Sequence, residues 1–372
     1  MTNRRKIMVV FGTRPEAIKM APVIQALCRR DSIHCQVTVT AQHREMLDQV
    51  LQLFQIKPDF DLNLMKAGQT LTDITARVLQ GLREVLQQEK PELVLVHGDT
   101  TTTFAAALAA FYAKIPVGHV EAGLRTGNKY SPYPEEMNRK LTSSLTDLHF
   151  APTTTARDNL LREGILADDI HITGNTVIDA LLATVRQNYI FVNKEIRQIL
   201  AREKGRRMIM VTTHRRENLG EPMRQIYRAL AGILAKYPDT YVLFPVHKNP
   251  KVREVVEEVL GANSRVHLIE PMDYEPFVNL MAKAYLILTD SGGIQEEAPS
   301  LGKPVLVVRD TTERPEAVAA GTVSLVGTNY EKVFAELNRL LTDEQAYKIM
   351  AMSINPYGDG RAAERIAGII SK

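Results

Sequence analysis

Leu93-Val94-Leu95-Val96-His97-Gly98-Asp99-Thr100 decides how this 372-residue chain is read. Four apolar residues run without alternation, the mark of a strand covered on both faces. A polar turn follows, then Phe104–Ala113, a small, Ala-rich stretch suited to a helix packed on a sheet. The same unit recurs on both sides. Ile7–Phe11, Val37–Thr40, Val117–Val120, Leu148–Ala151 and Ile170–Thr173 are further strands of a first group. Met208–Thr213, Tyr241–Val246, Val266–Ile269, Leu286–Thr289 and Val305–Val308 form a second. Strands alternating with helices at this spacing predict α/β architecture with parallel sheets and right-handed crossovers.

Length and composition narrow the class. At about 150 residues per domain the chain makes two domains. The break is expected near Gly174–Thr176, giving a first domain of 1–175 and a second of 176–355. Thr176–Arg207 reads as helix with a solvated Lys/Arg face, and Pro356-Tyr357-Gly358-Asp359-Gly360 precedes a last helix over Arg361–Ile370. Lys and Arg number 46 against 43 Asp and Glu, a net charge of +3, which argues against a nucleic-acid coat. A hydrophobic share of 45% argues against disorder. Cys28 and Cys35 lie outside any Cys/His cluster and read as reduced, buried residues, with no metal site. No apolar run reaches the roughly 18 residues of a membrane span. The first apolar stretch stops at Gly12-Thr13-Arg14-Pro15, too early for a signal peptide. A cytoplasmic protein without nucleic-acid or membrane partners is expected.

The polar residues gather at the carboxyl ends of the strands, where open α/β sheets bind ligands. These ends are Gly12–Glu16, Gly98-Asp99-Thr100, Glu121-Ala122-Gly123, His214–Asn218, His247-Lys248 and Asp290–Gly293. Both groups of strands show this, so two such edges are expected to face each other across one cleft. Ser291-Gly292-Gly293 before Ile294–Glu297 is the best phosphate candidate, because glycines admit a ligand to the backbone at a positive helix end. An ordinary turn with Ser291 as N-cap is the plainer alternative. Arg14 and Lys19 form a second positive group, and Arg309 and Arg314 add charge from the second half. Asp99, Glu121 and Glu135 are the acid/base candidates. A carboxylate partly buried near another has its pKa raised, which suits proton transfer. The dinucleotide fingerprint GxGxxG, the Walker pattern, a GxSxG elbow and an HExxH pair are all missing from the sequence.

Six stretches carry a resemblance: Val10–Lys19, His97–Thr100, His119–Arg125, Pro134–Arg139, Thr213–Asn218 and Thr289–Glu297. Together they closely resemble the non-hydrolysing UDP-N-acetylglucosamine 2-epimerases, over nearly the whole chain. The resemblance implies two Rossmann-like doubly wound domains facing across a cleft (the GT-B arrangement). A C-terminal helix, here within 356–372, returns to the first domain. It implies a homodimer and interconversion of UDP-GlcNAc and UDP-ManNAc without cofactor or metal, supplying ManNAc for surface polysaccharide. Carried over by position, Arg14, His214, Ser291, Gly292, Gly293 and Arg314 bind UDP, Met272 and Phe277 flank the uracil, and Glu297 holds the ribose. Lys19, Asp99, Glu121 and Glu135 surround the sugar; Lys19 and His214 count with the three acids as the catalytic set. Gln42 and His43 match a pair that contacts an activating second UDP-GlcNAc in some members. Gly68 stands where an arginine is expected, which departs from that pattern.

The chemistry explains the residue types. The sugar C2–H is not adjacent to a carbonyl, so the family's route eliminates UDP across C1–C2, giving 2-acetamidoglucal, and re-adds it with a proton on the other face. That needs a base at C2 and fixed donors for the departing diphosphate, each worth about 3–4 kcal/mol when preorganised. A GT-B glycosyltransferase, a hydrolysing epimerase and a non-catalytic nucleotide-sugar sensor are the alternatives.

Overall fold

The computed structural model describes residues 4–40, 44–64 and 68–372. The chain divides into two compact units, Met1–Leu182 with Tyr357–Lys372, and Ala183–Pro356. The first unit runs β1 (Arg5–Phe11), α1 (Arg14–Cys28), β2 (Ile33–Val39), α2 (Arg44–Leu53), β3 (Phe60–Asp61), α3 (Leu71–Glu89), β4 (Leu93–His97), α4 (Thr101–Tyr112), β5 (Val117–Val120), α5 (Glu135–Leu145), β6 (Leu148–Ala151), α6 (Thr154–Arg162), β7 (Ile170–Ile172) and α7 (Thr176–Thr184). Its seven strands are parallel in the order β3-β2-β1-β4-β5-β6-β7.

Every residue from Ile7 to Phe11 is buried, which is why β1 shows no alternation. Met8 and Val10, with Val94 and Val96 of β4, pack against Leu82 and Leu86 of α3 and the alanines of α4. Ala105, Ala106, Ala107 and Ala110 are fully buried, and their small side chains bring α4 close to the sheet. Thr13 and Thr100 cap α1 and α4 by accepting N–H groups from Glu16 and Thr103, so each strand end hands directly to a helix.

The second unit runs α8 (Lys194–Arg202), β8 (Arg207–Thr212), α9 (Glu221–Lys236), β9 (Thr240–Pro245), α10 (Pro250–Leu260), β10 (Val266–Ile269), α11 (Tyr274–Met281), β11 (Leu286–Thr289), α12 (Gly292–Glu297), β12 (Val305–Val307), α13 (Pro315–Ala319), β13 (Val323–Leu325), α14 (Tyr330–Thr342) and α15 (Glu344–Met352). Its six strands are parallel in the order β10-β9-β8-β11-β12-β13. A final helix, α16 (Ala362–Ile370), belongs to the first unit and packs on α1. Asp179 of α7 receives the N–H groups of Ala362 (3.2 Å) and Ala363 (2.9 Å) at its start.

Both sheets are open and reverse their direction of growth once, between β1 and β4 and between β8 and β11. Those two switch points are where such sheets bind ligands. The expected long helix over Thr176–Arg207 is instead α7 and α8 with a non-helical connection. Asn193 starts α8 by accepting from Glu195 N (2.8 Å) and Ile196 N (3.3 Å), and Gly205 at φ +88 follows its end. Cys28 is exposed and Cys35 only partly buried, so the expectation of two buried cysteines is corrected. Cys28 is the last residue of α1, at its solvent-facing end, with its thiol hydrogen-bonded to that of Cys35. Among the described residues no helix is long and apolar enough to cross a membrane.

Candidate active site

In the first unit the switch point lies between the ends of β1 and β4, with β5 alongside. Glu16 fills the start of α1. Its carboxylate accepts the N–H groups of Gly12 (3.0 Å) and Thr13 (2.7 Å) and the hydroxyls of Thr100 (2.7 Å) and Thr103 (3.1 Å). The helix end is therefore neutralised from within. Arg14 beside it is half-buried, and its side chain makes no hydrogen bond or ion pair among the described residues.

Lys19 reaches from α1 to the Glu121 carboxylate just beyond β5. Asn175 Nδ2 donates to the same oxygen, Oε2, at 3.0 Å, and His97 Nε2 stands 3.7 Å from it. Burial opposes the charge on Glu121, but the Lys19 ammonium and His97 outweigh it and hold the carboxyl well below the usual range. This reverses the expected direction, because the close neighbour is an ammonium rather than a second acid. Glu121 is a standing anion.

Asp99 sits one strand away, at the end of β4, and pairs with Arg139 of α5. Asn138 Nδ2 donates to its backbone carbonyl at 2.9 Å. Glu135 opens α5, half-buried, and its side chain makes no hydrogen bond or ion pair among the described residues. Its neighbour Glu136 is fully buried and holds the preceding loop through Thr126 N and Gly127 N, both at 3.0 Å.

The second unit repeats the plan with different chemistry. Asp290, fully buried after β11, accepts the N–H groups of His214 (3.1 and 2.9 Å) and Arg215 (2.9 Å) and the amide of Asn218 (3.3 Å). One carboxylate thus sets the loop after β8. His214 Nδ1 lies 3.2 Å from Asp290, and its ring stacks on His247 with centroids 5.6 Å apart. Burial pushes the His214 pKa below its ordinary value against the pull of Asp290, so the ring is neutral near pH 7.

A Cβ on Gly292 would stand 3.8 Å from Arg314 Nη2 and 3.9 Å from Arg215 Nη2, so two guanidinium groups flank that backbone. Arg314 is fixed by Glu296, and Arg215 keeps a buried Nε with no hydrogen-bond partner. The Ser291 hydroxyl makes no capping bond to α12, unlike the plainer turn reading. Glu297 accepts from Tyr274 OH at 3.0 Å, and Met272 and Phe277 are half-buried before and within α11.

The first unit thus gathers Arg14, Lys19, Asp99, Glu121 and Glu135 at the carboxyl ends of its strands. The second gathers His214, Ser291, Gly292, Gly293 and Arg314, with Glu297 and Phe277 on nearby helices. Arg309 is not a loose charge: its guanidinium is used by Glu217 (2.7 Å) and Glu313 (2.7 and 3.1 Å). Gln42 and His43 lie outside the described residues. Gly68 has φ +74, a conformation that glycine adopts without strain. Sequence reading did not single out Glu16, Asn175 or Arg215. For Asn175 the sequence offers only a Gly174-Asn175 pair after an apolar strand, like the polar strand ends elsewhere. Among the described residues no group of three or more His, Cys, Asp or Glu could hold a metal ion.

Two doubly wound parallel sheets, each with a charged rim at its switch point, define a Rossmann-type α/β protein of the kind that takes nucleotide ligands. The sequence profile of the UDP-N-acetylglucosamine 2-epimerase family matches residues 25–371. The UDP-N-acetylglucosamine 2-epimerase of Bacillus subtilis (strain 168) is 58% identical over 364 residues, covering 98% of this chain and 94% of its own. That of Escherichia coli (strain K12) is 58% identical over 365 residues, covering 97% of each. The crystal structure of the Neisseria meningitidis enzyme bound to UDP-GlcNAc superposes with a TM-score of 0.85 at 53% identity, covering 98% of this chain and 99% of that one. The chain belongs to the UDP-N-acetylglucosamine 2-epimerase family, and it is an enzyme of that isomerase type.

Proposed function

We propose that the protein interconverts UDP-GlcNAc and UDP-ManNAc by eliminating UDP across C1–C2 and adding it back. The observation that carries this reading is the pair of carboxylates at neighbouring strand ends in unlike settings. Glu121 is locked as an anion by Lys19 and Asn175, and Asp99 is paired with Arg139. An anion held in this way needs no prior deprotonation, and because Lys19 also lowers its basicity, Lys19 has to draw back as the proton is taken.

Glu121 takes the C2 proton as the C1–O bond breaks, and the electron pair of the C–H bond becomes the C1=C2 double bond of 2-acetamidoglucal. UDP leaves with the bonding pair from C1. Its diphosphate is received by Arg14, Arg215, Arg314, His214 and the Ser291–Gly293 backbone, with Phe277 and the Met272 backbone at the uracil and Glu297 at the ribose. In the return step UDP adds to C1 and Asp99 or Glu135, after taking a proton from solvent, delivers it to C2 from the opposite face, while Glu121 gives up its own proton to solvent. In the reverse direction the two acids exchange roles. With Nδ1 turned to Asp290, the His214 ring presents Nε2 to the diphosphate, and it donates there once the ring takes up a second proton beside the departing anion.

The same reading carries a cytoplasmic homodimer that supplies ManNAc units to surface polysaccharide; family membership alone supports that part. The Gln42–His43 pair remains the candidate contact for an activating second UDP-GlcNAc. The test is incubation with UDP-GlcNAc followed by NMR of the products. An equilibrium mixture with UDP-ManNAc is expected. Free ManNAc with UDP would make the protein a hydrolase, and UDP release only on adding a sugar acceptor would make it a transferase.

A further inference from the structure

The Glu121 carboxylate is gripped at one oxygen. Oε2 takes Lys19 and Asn175 Nδ2 (3.0 Å), with His97 Nε2 at 3.7 Å. Oε1 lies over Gly98, 3.9 Å from where a Cβ there would stand. Glu121 itself adopts φ +66, a conformation that a non-glycine residue keeps only when its surroundings fix it.

Lys19 and His97 come from α1 and β4. Asn175 comes from the turn before α7 and is 2% exposed. Its side chain is committed at both ends. Oδ1 accepts the N–H of Val177 at 3.0 Å, capping α7, which leaves Nδ2 as the end that meets Glu121. Its backbone N–H donates to the Tyr357 carbonyl at 2.6 Å. Gly174 beside it, at φ +91, packs so closely that a Cβ would stand 3.3 Å from that same carbonyl. The segment returning from the second unit therefore seats Asn175.

We propose that Asn175 is a positioning residue for the reaction: its amide turns the Glu121 carboxylate so that Oε1 is presented to the sugar, and the Tyr357 carbonyl holds Asn175 in place. This rests on the epimerase reading above. An amide nitrogen only donates, so it supports the ionised acid and gives it no proton.

Asn175→Asp tests the idea. The change keeps Oδ1 for Val177 and nearly the same volume, but puts a carboxylate oxygen against Glu121. Lys19 and His97 remain the charged and titratable groups facing the pair. At about pH 8 kcat should fall roughly tenfold or more while the Kd for UDP stays within about twofold. Toward about pH 6 the deficit should shrink, because two adjoining carboxyls then share a proton and the donor is restored. Asn175→Ser can still cap α7 but cannot reach Glu121; it should lose kcat without that recovery. Carboxyl ¹³C NMR should show the Glu121 titration moved up in Asn175→Asp.

A kcat deficit that is constant with pH, a matching loss of UDP affinity, or an unmoved Glu121 titration would overturn the proposal. Should Asn175→Asp fail to fold, Asn175→Ser decides: unchanged kcat overturns the role, and reduced kcat with intact UDP affinity supports it. Absence of turnover in the unaltered protein would remove the epimerase reading separately, and the NMR titration would still decide Asn175.

Discussion

Asp290→Asn should cripple UDP binding although Asp290 needs no contact with ligand. The carboxylate is fully buried and accepts N–H groups from His214, Arg215 and Asn218 at 2.9 to 3.3 Å. An amide of the same shape turns one acceptor oxygen into a donor. If Oδ2 is replaced, Arg215 N, Asn218 Nδ2 and the shorter His214 contact face an NH2 group, with His214 N keeping Oδ1; if Oδ1 is replaced, only the longer His214 contact does. One to two charge-assisted hydrogen bonds are therefore lost, each worth about 1.5–3 kcal/mol. The loop carrying His214 and Arg215 then leaves its binding geometry for part of the time, and the apparent Kd rises by the inverse of the competent fraction. A bias of about 2 kcal/mol corresponds to a roughly 30-fold weaker Kd. Titration calorimetry with UDP measures this, and hydrogen exchange at residues 214–218 reports the loop directly. A Kd within about twofold of the unaltered protein, with unchanged exchange, would refute the view that one buried acid sets this rim.

Other outcomes follow from the same geometry. Burial lowers the His119 pKa from 6.5 to about 3 and that of His149 from 6.5 to about 4. Both are neutral in the fold, so their contribution is complete above pH 6.5 and is lost as pH falls toward those values. At about pH 5 each should cost about 2 kcal/mol of stability, so His149→Leu should flatten the acid loss by that amount in urea unfolding; an unaltered slope would count against it. Glu121→Gln, Asp99→Asn and Glu135→Gln should identify the working acids: loss of kcat by about a hundredfold with intact UDP affinity marks a proton carrier. If UDP binding collapses instead, the residue belongs to the binding set. Gly123→Ala should cost more than about 3 kcal/mol, since the position needs φ +90 and a Cβ would stand 2.2 Å from the Ala156 carbonyl oxygen. A melting temperature within a degree or two of the parent would contradict that packing.

Much of this architecture is legible in the sequence because parallel strands buried on both faces leave an unbroken apolar signature. Ile7–Phe11 and Leu286–Thr289 are of that kind. β3 and β13 are edge strands of two and three residues, Phe60–Asp61 and Val323–Leu325, too short for any pattern. The rim residues could be recognised because charged side chains after buried strands are unusual. Their pairings could not. Glu121 and Lys19 are 102 positions apart in sequence, and only the adjacency of β1, β4 and β5 brings α1 to that acid. The same blindness hid Glu16, whose carboxylate looks from sequence like an ordinary first-turn acid. In the fold it closes the helix end that Arg14 adjoins.

Protein turning over UDP-GlcNAc in deuterated water tests the central claim most directly. Elimination and re-addition predict UDP-ManNAc carrying deuterium at C2, with label entering recovered UDP-GlcNAc as the reaction reverses. UDP-ManNAc formed with its original C2 hydrogen would contradict the account.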